Sequence, residues 1–186
     1  MNIPNILTVI RMMMVPVVGF LIGYEQLIPA VIVYILACIT DVIDGKVARR
    51  YGYITDFGKL MDPVADKTLT LTTVIMLAHK HIIYPDVFIL NWIVPFILIT
   101  KELLMIAGGI VLLKHKSIVQ PANWYGKLST VLFFAAFVVL MTFNNFAINI
   151  PLMMLVGRIA LGIALVFAFF AFFKYLILYI NISKKK

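Results

Sequence analysis

Long apolar runs separated by a few short polar breaks set the pattern of the chain. They predict six spans, roughly 6–23, 27–48, 62–80, 86–113, 126–143 and 150–180. The breaks fall at Gly23-Tyr24-Glu25-Gln26, at Arg49–Phe57, at His79-Lys80-His81, at Lys114–Asn123 and at Asn144–Pro151. About 20 apolar residues suffice to cross a hydrocarbon core as a helix, so the expected architecture is all-α, with six transmembrane helices. The third span departs from the others in carrying several threonines. At the start, Asn2, Asn5 and Thr8 alternate with Ile3, Ile6 and Ile10. That mixture predicts a short amphipathic lead-in lying in the membrane interface. No internal repeat, linker or low-complexity stretch divides the sequence, and residues 1–186 read as one domain.

Composition reinforces this picture. Of 186 residues, 63% are hydrophobic and 13% charged, and the mean hydropathy is +1.07. Soluble domains run at roughly 45–50% apolar and about 25% charged. Cys38 is the one cysteine, which excludes an internal disulfide and suits a small buried side chain. The opening Met-Asn-Ile-Pro-Asn has no basic segment or small-residue cleavage site, so no removable signal peptide is expected.

The net charge of +8 raises the question of nucleic acid, but its distribution points to a membrane instead. Lys46, Arg49, Arg50, Lys59, Lys67, Lys114, Lys116, Lys127 and Lys184–Lys186 fall on one side of the predicted spans, and Lys80 alone on the other. The positive-inside rule then places both termini and the 46–67 and 114–127 segments in the cytoplasm, as an even number of spans requires.

The acidic residues are distributed unevenly too. There are eight, and Asp41, Asp44, Asp56, Asp62 and Asp66 lie within one stretch at the cytoplasmic ends of the second and third spans. Carboxylates gathered at a bilayer boundary repel one another unless cations compensate them. At 100° per residue, Asp41, Asp44, Gly45 and Ala48 share one arc of a helix, and Gly58, Asp62 and Asp66 form a second stripe. Pro63 either occupies the first turn of the third span or kinks it, and both arrangements keep Asp62 and Asp66 on one face. Four carboxylates thus converge from two antiparallel helices, a set of oxygen ligands suited to magnesium or manganese. Two ions about 3.5–4 Å apart clamp a phosphoryl centre from both sides. Gly45 and Gly58 fit close helix packing or, flanked by aspartates, a slot for a base or diphosphate. Arg49, one turn after Gly45, has a planar fork suited to a diphosphate, and Arg50 suits a topology anchor. A transporter would place its charges near the bilayer midplane on broken helices. A cluster at one interface argues against that class.

The run Asp41-x-x-Asp44-Gly45-x-x-Ala48-Arg49, eight further residues, then Gly58-x-x-x-Asp62-x-x-x-Asp66 resembles the signature of the CDP-alcohol phosphatidyltransferase family at every fixed position. The resemblance implies a membrane enzyme transferring a phosphatidyl group from CDP-diacylglycerol to an alcohol, with two Mg2+ or Mn2+ ions per site and a homodimeric assembly. It implies that Asp41, Asp44, Asp62 and Asp66 hold the metals and that Asp66 is also the general base. Gly45, Arg49 and Gly58, with Thr55, would contact the nucleotide, and Asn5 and Thr8 resemble a further nucleotide-contacting element.

For the acceptor, Asn2-Ile3-Pro4-Asn5 with Thr8 and Arg11, and Asp62-Pro63-x-Ala65-Asp66-Lys67, are similar to the glycerophosphate-transferring branch and its cardiolipin-forming relatives. Glycerol 3-phosphate is the implied acceptor, and phosphatidylglycerol is the alternative. An anionic acceptor requires further cations, and Lys101, Lys127 and Arg158 are the candidates, each within or beside a span. Lys101-Glu102 also reads as a structural pair, although adjacent positions on a helix do not face each other. Members of that branch usually carry Arg-Glu in the fourth span and a Leu-Arg near its end. Here Lys101-Glu102 is followed by Gly108-Gly109-Ile110, without an arginine.

Overall fold

A computed structural model describes residues 3–51, 56–84, 88–114, 124–144 and 151–183. Among them lie six helices and no strand: α1 (Ile3–Gly23), α2 (Leu27–Tyr51), α3 (Asp56–His79), α4 (Phe88–Lys114), α5 (Trp124–Asn144) and α6 (Pro151–Ser183). The helix α1 runs unbroken from Ile3, so the expected lead-in is simply its first turns. The polar side chains there turn inward instead of lying at the interface: Asn5, Thr8 and Arg11 are all buried. Helices α2 and α3 extend into the predicted break between them, and Pro63 therefore falls inside α3, beyond its first turn.

Two corners at one end of the molecule close in the same way. After α1, Glu25 adopts a left-handed φ of 62°, its N–H reaches Ile22 O, and Gln26 N–H reaches Leu21 O. After α3, His81 adopts φ 55°, with His81 N–H on Ala78 O and Ile82 N–H on Leu77 O. Both are Schellman closures, which satisfy carbonyls that the end of a helix would otherwise leave bare. Lys80 Nζ bridges the corners at 3.0 Å from Glu25 Oε1. At this end Asn91 also holds the backbone of Tyr84 through both its side-chain oxygen and nitrogen.

Helix α1 packs on α2 and α3, α3 on α4, and α5 on α6, with α2 against α5 and α4 against α6 joining the two halves. Tyr34 on α2 stacks on Phe134 of α5 at 5.8 Å, and Val18, Ile22, Leu77, Phe137 and Leu140 are completely buried. The outside is just as apolar, with Phe20, Ile89 and Phe96 each about two-thirds exposed or more (65, 69 and 70%). A continuous apolar exterior of this kind fits lipid and not water. Helices α1, α2, α5 and α6 are each long and apolar enough to cross a membrane. Helix α3 accommodates its threonines by bonding their hydroxyls back to the preceding turn, as Thr68 does to Val64 O, Thr70 to Asp66 O and Thr73 to Leu69 O.

The α5–α6 contact depends on a missing side chain. A Cβ on Gly157 would stand 3.0 Å from Leu140 Cδ2 and 3.1 Å from Val139 Cγ1, and Leu140 has no free surface to move into. Gly157→Val is expected to cost about 1–3 kcal/mol by overpacking. It should lower the melting temperature of the detergent-solubilised protein; an unchanged melting temperature would mean that these helices separate freely.

Candidate active site

The aspartates sit at the end of the molecule opposite the two corners. Asp41 and Asp44 lie toward the C-terminus of α2, and Asp62 and Asp66 in the N-terminal half of α3. Because α1 runs antiparallel to α2, its N-terminal turns reach the same level. Arg11 is 1% exposed and spans two carboxylates: Nη1 is 2.6 Å from Asp41 Oδ1, and Nη2 bonds Asp44 Oδ2. Asp44 is as buried as its partner, whereas Asp41 is 43% exposed. One turn earlier on α1, Thr8 Oγ1 donates to Asp62 Oδ1 at 2.6 Å. The polar stripe Asn5–Thr8–Arg11, one residue every three, is thus the second wall of the carboxylate site.

The four predicted carboxylates form one electrostatic neighbourhood. Asp44 lies within the fields of Asp41 and Asp62, and Asp66 within those of Asp41 and Glu102, with Arg11 acting on both. Their number and all-oxygen chemistry suit a hard divalent cation. Among the described residues, though, no three acidic, histidine or cysteine side chains already form a cage. The donor set fits such an ion in kind and neighbourhood, and Arg11 is the cation that now links two of its members.

Asp66 also lines a cavity of about 220 Å3 enclosed by α3, α4, α5 and α6. Lys67, Lys101 and Glu102 gather at its charged part, and Leu71, Leu98 and Phe133 make its apolar wall. Glu102 holds both lysines, Oε2 at 2.5 Å from Lys67 Nζ and Oε1 at 2.7 Å from Lys101 Nζ. The neighbours Lys101 and Glu102 do meet, contrary to what their adjacency suggests, because both side chains bend toward the same gap, into which α3 delivers Lys67.

The other expected residues separate into those near this centre and those elsewhere. Gly45 and Gly58 lie on α2 and α3 close in sequence to the aspartates, and Arg49 lies in the last turns of α2. The side chain of Arg49, the surroundings of Gly58, and all of Thr55 lie outside the described residues. Lys127 is exposed on the first turn of α5 and does not line the cavity, although its neighbour Gly126 does. Arg158 is at the far end, with its guanidinium 5.7 Å from the ring centre of Tyr84. It is thus remote from the acidic cluster. Three residues absent from the expected set, Arg11, Lys67 and Glu102, make the closest charged contacts in the site. The threefold polar spacing of α1 was the available signal for Arg11.

The fold and site together describe a helical membrane protein with a carboxylate centre near one end and, beside it, a small cavity lined by two lysines. The chain belongs to the CDP-alcohol phosphatidyltransferase family, whose model matches residues 1–170. It is similar to a "Probable phosphatidylglycerophosphate synthase" of Mycobacterium tuberculosis, 38% identical over 138 residues, or 69% of this chain and 60% of that protein. It is also similar to a "CDP-diacylglycerol--glycerol-3-phosphate 3-phosphatidyltransferase" of Rickettsia typhi, 32% identical over 166 residues and 88% of both chains. A protein of the same designation from Aquifex aeolicus is 29% identical over 70% of each chain.

Proposed function

We propose that this protein transfers the phosphatidyl group of CDP-diacylglycerol to glycerol 3-phosphate, forming phosphatidylglycerophosphate and releasing CMP. The observation that carries this reading is that Asp66 belongs both to the carboxylate neighbourhood and to the wall of the two-lysine cavity. The carboxylate neighbourhood suits the diphosphate donor, the lysines suit an anionic acceptor, and Asp66 lies where the two would meet.

In this reading the Asp66 carboxylate accepts the proton of the acceptor hydroxyl. The acceptor oxygen forms a bond to the β-phosphorus, the bond from that phosphorus to the CMP oxygen breaks, and CMP departs with the electron pair. Two Mg2+ or Mn2+ ions held by Asp41, Asp44, Asp62 and Asp66 would supply charge stabilisation for the diphosphate. Thr8 fixes the rotamer of Asp62, and Arg11 draws Asp41 and Asp44 together. Nucleotide contacts are proposed for Asn5, Thr8, Gly45, Arg49, Thr55 and Gly58, and an acceptor contact for Lys101, joined by Lys67. Phosphatidylglycerol is the weaker alternative acceptor, because the cavity is compact and its cations sit inside the bundle. The fourth span lacks the late arginine usual in the glycerophosphate-transferring branch, and Lys67 entering from α3 would supply a cation in its stead.

The proposed topology has six crossings in the bacterial cytoplasmic membrane, with the site end and both termini in the cytoplasm and two copies in the assembly. The nucleotide would then stay in water while the acyl chains of the donor remain in the bilayer. Detergent-purified protein with magnesium should release CMP from CDP-diacylglycerol when glycerol 3-phosphate is added. Release with phosphatidylglycerol instead would reassign the acceptor; release with neither would remove the activity.

A further inference from the structure

The cavity beside Asp66 has few groups that can donate a hydrogen bond to an anion. Thr70 donates its hydroxyl to Asp66 O at 3.2 Å, Ser129 to Ala164 O at 3.0 Å and Thr130 to Gly126 O at 3.1 Å. Among the lining side chains, that leaves the ammonium groups of Lys67 and Lys101. Each carries three N–H donors and meets Glu102 through a single carboxylate oxygen, so both retain donors for a ligand. The two lysines come from different helices, and as like charges in a partly buried space they repel. Their side chains are 31% and 14% exposed, and the Glu102 side chain is 15% exposed. A single carboxylate, with one oxygen on each, is what holds them together.

We propose that Glu102 is the positioning residue of the acceptor-anion subsite: its shared carboxylate converts two mobile lysines into one dicationic clamp for the phosphate of the acceptor. The three groups carry a net charge of +1, and with Asp66 on the same wall the two ammonium groups are the points at which an incoming phosphate would be attracted. Without Glu102, the lysines would diverge along their flexible stems, and the cavity would lose the paired geometry even though its net positive charge would rise. Glu102 does not touch the reacting atoms in this scheme. It acts through Lys67 and Lys101.

The inference rests on the proposed activity, and two measurements keep the two separable. In steady-state CMP release by the full-length protein, Glu102→Gln is expected to raise KM for glycerol 3-phosphate about tenfold, equivalent to about 1.4 kcal/mol, with KM for CDP-diacylglycerol little changed. Glu102→Asp should recover part of that loss. In a Lys67→Met/Lys101→Met background, adding Glu102→Gln should cost nothing further. A loss that falls equally on both substrates, or that adds fully in the lysine-free background, would overturn the positioning role. The second readout needs no turnover: glycerol 3-phosphate and, more weakly, inorganic phosphate should raise the melting temperature of the wild-type protein, and at the same concentration should raise that of Glu102→Gln distinctly less. If the wild type bound glycerol 3-phosphate yet released no CMP, the activity would fall and the subsite would stand. If neither anion shifted the wild type, the subsite would fall.

Discussion

Asp66→Asn should reduce CMP release by roughly 10²–10⁴-fold, the range contributed by a positioned general base, while CDP-diacylglycerol still binds within a few-fold of normal. The substitution preserves size and removes the carboxylate that belongs both to the aspartate cluster and to the cavity wall. Asp66 is well placed as that base, since its backbone carbonyl accepts the Thr70 hydroxyl and its side chain faces the space into which Lys67 and Lys101 project. Glycerol 3-phosphate protection against thermal unfolding should persist in the variant, because the lysines are untouched. A turnover within tenfold of the wild type would exclude Asp66 as the base, whatever its part in metal binding.

Arg11→Met is expected to show the largest stability effect. Removing one member of a buried charge pair leaves the other uncompensated, and costs about 3–5 kcal/mol. Here the loss strands the buried Asp44 and frees Asp41 to move outward, toward the solvent that it already reaches. The melting temperature should fall substantially, and CMP release should fall with it even at temperatures where the protein remains folded. Arg11→Lys should recover only part of both properties, since a single ammonium lacks the fork that bridges two carboxylates. Adding magnesium should narrow the stability gap between Arg11→Met and wild type by supplying another counter-charge to Asp41 and Asp44. Equal melting temperatures in metal-free buffer would mean that Arg11 contributes no net stabilisation.

The helical class, the breaks and the grouping of Asp41, Asp44, Asp62 and Asp66 were legible because each depends on spacing within a single element. A carboxylate every three or four residues marks one face of a helix wherever that helix lies. The partners of those carboxylates were harder to read. Arg11 and Asp44 are 33 positions apart, and Thr8 and Asp62 are 54 apart, so their meeting depends on how α1 docks against α2 and α3. Read alone, the polar positions of α1 suggested an interfacial surface; in the fold they are buried against charge. Lys67 was counted among the charges that orient the chain, though it lies next to Asp66 and reaches Glu102 on α4. Arg158 could have been placed better from the sequence. It stands within two turns of the start of α6, and the expected topology already puts that start on the side away from the aspartates.

The threonine and serine hydroxyls around the cavity have a consequence beyond satisfying carbonyls. With their protons turned toward the backbone, Thr70, Ser129 and Thr130 present oxygen lone pairs to the interior. Such a wall welcomes a guest O–H and offers nothing to a guest carbonyl. The lysine side of the same space favours negative oxygen. A molecule that matches both sides must carry its anion at one end and its free hydroxyls at the other, so the enclosure reads the direction of a polyol phosphate as well as its charge.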